Sequence, residues 1–157
     1  MTTAVCEAIL TRDFTPEGTA ALTGEDVASY LAVLVRLAAL DGIQGGESEF
    51  VYRAAACLGV QAALADIAGQ FVADPGLTSE ALISRIRDPG LRLCLLRDAY
   101  RLAAIDGRIS EEEVGELTRI AGALGIEPGT SIDVRAIALE EIRLHREFAV
   151  LVRAARG

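Results

Sequence analysis

The chain has no lysine; all fifteen basic residues are arginine. That excludes Schiff-base chemistry and the phosphate-binding lysine of a Walker motif. There is one histidine, His145, and three cysteines, Cys6, Cys57 and Cys94, with no Cys-x-x-Cys pair. Too few soft ligands remain for a zinc site, and a Cys–His catalytic pair has no local signature. Cys57 and Cys94 lie in apolar stretches and read as inert buried thiols, a pattern suited to a reducing cytoplasm. Tryptophan is absent and aromatics are 4% of the chain, so strands are disfavoured. Proline occurs four times, which leaves long stretches free to be helical. The most apolar run, residues 31–40, is short and contains Arg36, so no membrane span is expected. No charged-then-apolar leader is read at the start. Acids outnumber bases, 23 to 15, and the net charge of −8 repels phosphate backbones. Nucleic acid is thereby disfavoured, and cations or a basic partner are favoured. Nucleophile-elbow, Walker and Rossmann patterns are all missing.

Hydrophobic residues are plentiful, at 52% of 157 residues, enough for one domain with its own core. They recur at helical spacing nearly throughout. The expected helices cover residues 3–12, 23–40, 47–58, 61–72, 78–86, 89–105, 110–124 and 131–153. The helices ending at Leu40 and Ile105 are apolar on most sides and should be central. Asp88-Pro89 and Ser110-Glu111-Glu112-Glu113 are start signals: a cap followed by proline, and a capping box. Gly45-Gly46 reads as a loop. In the last helix, Ile137, Leu144, Phe148 and Leu151 are expected in the core.

One string occurs twice. Arg36-Leu37-Ala38-Ala39-Leu40-Asp41-Gly42 returns 65 residues later as Arg101-Leu102-Ala103-Ala104-Ile105-Asp106-Gly107. Further on, Gly59 matches Gly125, Leu58 matches Leu124, Arg53 matches Arg119 and Glu47 matches Glu113. Each copy is a long apolar helix, an Asp-Gly turn, a helix that starts acidic, and a Leu-Gly stop. The repeat halves span about 24–60 and 89–126 of a single domain. Two such hairpins about a pseudo-twofold axis give an all-α bundle of seven to eight helices.

The repeat also nominates a site. If the turns meet, Asp41, Glu47, Asp106 and Glu113 form an oxygen cluster suited to a hard divalent cation, Mg²⁺ or Ca²⁺. Glu49, Glu111 and Glu112 add negative charge that a partner could read. The competing explanation is capping and the helix dipole, which favour acids at helix starts with no ligand at all. An EF-hand is incomplete here. Its earlier ligand positions fall on Leu102 and Ala104, and the first copy has Gln44 where an apolar residue belongs.

The pattern Ala-x-Asp-Gly-x-Ile-Ser-x-x-Glu, carried by Ala104, Asp106, Gly107, Ile109, Ser110 and Glu113 with Leu124-Gly125 as the stop, resembles the tellurite-resistance TerB-like family. The first copy matches more loosely, and its Gly-rich loop departs from the pattern at Glu47. The likeness covers residues 24–126. It implies an all-helical fold, divalent-metal binding at the acidic patch, and a role in tellurite resistance or related stress responses. It also implies protein partners near the inner membrane; similar domains occur in a membrane-attached J-domain co-chaperone. The expectation is a non-enzymatic cytoplasmic module, with a homodimer and a peripheral place at that membrane left open. A metal-dependent hydrolase using the same carboxylates and a purely structural interaction domain stay open as alternatives.

Overall fold

The computed structural model describes residues 24–40, 45–57, 61–74 and 76–156. The expected first helix, the Thr23 cap, Asp41, Gly42 and Gly59 lie outside them. The described residues form seven α-helices and one 3₁₀ turn, with no strand. The helices are α1 (Gly24–Ala38), α2 (Gly45–Cys57), α3 (Leu64–Ala73), α4 (Ser79–Ile83), α5 (Pro89–Ala104), α6 (Glu111–Ala123) and α7 (Pro128–Arg156). The 3₁₀ turn, Gln61–Ala63, leads into α3.

The starts obey local chemistry. Leu91 N donates to Asp88 Oδ1 at 2.6 Å, with Pro89 in the first helical turn of α5. At α6 the capping box closes in both directions: Glu113 N donates to Ser110 Oγ at 3.2 Å, and Ser110 N donates to Glu113 Oε2 at 2.7 Å. Thr78 caps α4 through Ala81 N. Asp74 Oδ1 accepts from Gly76 N at 3.2 Å.

α1 is the central helix. Tyr30, Leu31, Val33, Leu34 and Leu37 are completely buried. It packs against α2, α3, α4 and α5. α5 contributes Leu91, Leu95, Leu96, Ala99 and Leu102, and α6 adds Leu117 and Ile120, to one contiguous hydrophobic cluster. Asp26 ties the start of α1 to the chain before α5 by accepting from Arg87 N at 2.9 Å.

Two expectations are corrected. Gly45 and Gly46 are the first turn of α2 rather than a loop. A Cβ on Gly46 would stand 3.3 Å from Asp106 Oδ1, so a glycine here lets the start of α2 approach the second Asp-Gly turn. The second correction concerns α7. Ile137, Leu144, Phe148 and Leu151 are not core; each is about half exposed or more, while the neighbouring Ala138 and Ile142 are buried. The inward face of α7 is the one that carries Ala138, Ile142 and Glu141. The large apolar side chains sit on a stripe rotated away from it.

The last buried residue of α7 is Ile142. Arg146 reaches the last carbonyls of α5, on Ala104 and Ile105. None of residues 147–156 is buried. These ten residues rise about 15 Å along the helix axis.

Candidate functional site

The second Asp-Gly turn is fully described. Gly107 adopts φ +92°, a conformation that glycine reaches without strain, and its amide bonds Ala104 O at 3.0 Å. Asp106 is exposed beside it. Gly46 lies against Asp106, so the repeat does bring the start of α2 to the second turn. Glu47 is buried in the first turn of α2, and Glu113 is buried at the start of α6. One carboxylate oxygen of Glu113 is engaged in the capping box. Glu111 and Glu112 are exposed, and Glu49 is exposed and paired with Arg53 one turn on.

A cation site needs more than proximity. Among the described residues, no group of three His, Cys, Asp or Glu side chains is arranged to hold a metal. The positive charge found at this turn belongs to the chain itself. Arg146 donates to Ala104 O and, at 2.7 Å, to Ile105 O; its guanidinium lies 3.6 Å from where a Gly107 Cβ would be. It therefore caps the negative end of α5 and occupies carbonyls that a hard cation would seek. Asp41, the fourth expected ligand, lies outside the described residues, and the other three do not make a site by themselves. Beside this turn is an open cleft of about 370 Å³. Ala104, Ile109, Leu139 and Ile142 floor it, and Arg143, Arg146 and Glu147 rim it.

The groups that composition and spacing did not nominate are inside. Asp98 and Arg101 are both buried on α5. Asp98 accepts from Tyr30 Oη, from Arg101 Nη1 at 3.1 Å and from Arg97 Nε at 3.3 Å. Arg101 Nε faces Glu141 Oε2 of α7 at 3.5 Å, and its guanidinium carbon lies 5.5 Å from the centre of the Phe50 ring. Burial and the Asp98 carboxylate hold the Tyr30 phenol well above its ordinary pKa. Burial disfavours the Arg97 charge, but Asp98, Cys94, Glu141 and Tyr30 together outweigh it and raise that pKa. The two arginines and the two acids balance one another in low dielectric.

The first half has a counterpart. Arg36 Nε lies 3.4 Å from Glu116 Oε1 of α6, while its Nη1 donates to Leu77 O at 2.9 Å. Glu116 also accepts from Ser79 and, at 3.0 Å, from Arg119. Burial pushes the Glu116 pKa up, but the bonds from Ser79 and Arg119 and the charge of Arg36 bring it below its usual value. Arg36 and Arg101 hold the same place in the repeat; so do Phe50 and Glu116, each nine residues before its Leu-Gly glycine. Each repeat arginine thus reaches the matching position on the other half's second helix, as an approximate twofold requires. The signal in the sequence was an arginine opening each copy of an otherwise apolar string.

No family model matches the chain, and no curated protein or solved structure matches it. The expected role in tellurite resistance and stress response is corrected on that ground. It rested on the motif from Ala104 to Glu113 with the Leu124-Gly125 stop and a looser first copy, and no match to a known protein supports that role. Among the described residues, no helix is long and apolar enough to cross a membrane.

Proposed function

We propose that this chain is a non-enzymatic helical interaction module whose binding face is the apolar stripe of α7. One observation carries the reading. Ile137, Leu144, Phe148 and Leu151 are exposed by 54%, 51%, 48% and 64% on the longest helix. Their spacing of seven, four and three residues is that of a seam between packed helices. A contiguous exposed apolar strip of this kind marks a contact surface, whereas scattered single residues do not. The end of α7 adds to the argument, since none of residues 147–156 is buried. A ten-residue helical segment is marginal in water unless its apolar side packs against something.

The test separates surface from core. Leu144→Glu plus Leu151→Glu is melted at high dilution. As surface changes, they should alter stability by no more than about 0.5 kcal/mol each. Loss of folding would mean that the stripe is core, and the reading would fall. Chemical cross-linking in an extract of the source cells should then give adducts with the parent chain that the folded double variant lacks.

A further inference from the structure

The cleft beside the second Asp-Gly turn has α7 as one wall. Leu139, Ile142, Arg143 and Arg146 follow one another at intervals of three, one and three residues, so they share a face of that helix. The face lies roughly opposite the stripe centred on Leu144, which makes the cleft and the stripe separate surfaces. We infer that the cleft binds a small organic monocarboxylate. Its apolar body rests on Ile109, Leu139 and Ile142, and its carboxylate meets Arg146.

The floor asks for hydrocarbon. A cleft of about 370 Å³ with an apolar floor and a few polar groups at the rim has the size and make-up of a small-molecule site. Ala104 and Ile142 are buried, and Ile109 and Leu139 are half-buried. Replacing water over these side chains with an apolar group is favourable.

Charge selects the other end of the ligand. Arg143 holds Glu140 with two bonds and Glu147 with a third, so its charge is met along α7. Arg146 differs. Among the described residues it meets no carboxylate, and its Nη2 donates to the carbonyls of Ala104 and Ile105. Those carbonyls carry only the partial charge of a helix end, roughly half an elementary charge. Both bonds use one nitrogen. They hold the guanidinium in place and leave Nη1 and Nε for a further acceptor, without the ordering cost of a loose side chain. Gly107 keeps that group open, because an added Cβ would stand 3.6 Å from both Nη1 and Nη2. One cation, partly offset by carbonyls and with Glu147 on the same rim, suits a single negative charge and disfavours a dianion.

Titration of the isotope-labelled full chain with hexanoate, 1-hexanol and inorganic phosphate tests this, read from the amide resonances of Gly107, Ile109 and Ile142. Hexanoate should shift all three and saturate, with a dissociation constant on the order of a millimolar. Hexanol lacks the charge and phosphate lacks the apolar body, so each should bind about tenfold more weakly or worse. Arg146→Gln should weaken hexanoate about tenfold, and Leu139→Trp, which fills the floor, should abolish its binding. Resonances that hexanoate leaves unmoved well above millimolar overturn the inference. Hexanol binding as well as hexanoate would make the cleft a purely apolar one, and phosphate binding as well would make it a bare anion site; either result overturns it. So does unchanged hexanoate affinity in folded Arg146→Gln. If Arg146→Gln does not fold, Leu139→Trp decides, and hexanoate binding retained there overturns the inference.

Discussion

Arg36 and Arg101 open the same string, yet they live in different surroundings. Arg36 keeps 28% of its side chain exposed and meets Glu116 and a backbone carbonyl. Arg101 keeps 3% and is enclosed by Asp98, Glu141 and Phe50. The difference comes with α7, which packs over α5 and sets Glu141 against Arg101. A duplicated string therefore supplied two arginines at symmetric positions, and the added helix turned one of them into a buried charge. Identical local sequence does not carry identical energetics. What covers it decides.

The largest expected effect breaks this comparison open. Arg101→Ala removes the buried cation that Asp98 and Glu141 share and leaves Asp98 with Arg97 alone, so it should destabilise by about 3 kcal/mol in a denaturant melt. Arg36→Ala, at a half-open position, should cost about 1 kcal/mol or less. Equal losses would mean that α7 does not seal Arg101. A triple replacement, Tyr30→Phe, Asp98→Leu and Arg101→Met, sharpens the point. It removes Asp98 and Arg101 with the phenol that bonds them, leaves Arg97 and Glu141 as one base and one acid, and should recover part of the loss, because a buried pair scarcely outdoes a well-packed apolar substitute.

Next come the two devices of the second turn. Gly107→Ala forces a Cβ onto φ +92° and should cost about 1–2 kcal/mol. Ser110→Ala leaves the Glu113 amide without its side-chain acceptor and should cost about 1 kcal/mol. Both are read as midpoint shifts at constant denaturant slope. A loss well above these values at Ser110 would mean that the acidic turn does more than cap its helix.

Most of the fold could be read in the sequence because helix starts and stops are local events. Asp88-Pro89, Ser110 with Glu113, and Gly107 and Gly125 each act within four residues, and the structure places each as expected. The apolar string of the repeat correctly marked α1 and α5 as central. The errors were non-local. Ile137, Leu144, Phe148 and Leu151 have helical spacing whether or not anything covers them, so periodicity placed them in the core. Asp98 looked like one charge in an apolar helix, since its partner Tyr30 is 68 residues away. Gly45-Gly46 looked like a loop because nothing nearby in sequence shows that Asp106 crowds that backbone. For the candidate site, the start of α2 does lie against the second turn, and one carboxylate oxygen of Glu113 is taken by its capping bond, which is local and legible in the sequence.

The smallest effect is the most specific to the second half. His145, on α7, has its pKa lowered, first by burial and then by the charges of Arg101, Arg53 and Arg146. The sign follows from linkage. The unfolded chain binds the proton at a higher pH than the folded one, so protonation favours unfolding. Stability contributed by the neutral ring is complete above the usual histidine value of about 6.5, and it declines as pH falls through that value toward the lower folded pKa. Between about pH 7 and 5, His145→Gln should therefore flatten the slope of melting temperature against pH. Arg101→Met should flatten it in part, by removing one of the three repelling charges. Arg36→Met should leave it unchanged, because Arg36 is not among the groups that shift His145. An equal response to both arginine changes would mean that the two repeat positions are coupled through the bundle, and the distinction drawn between the halves would no longer hold.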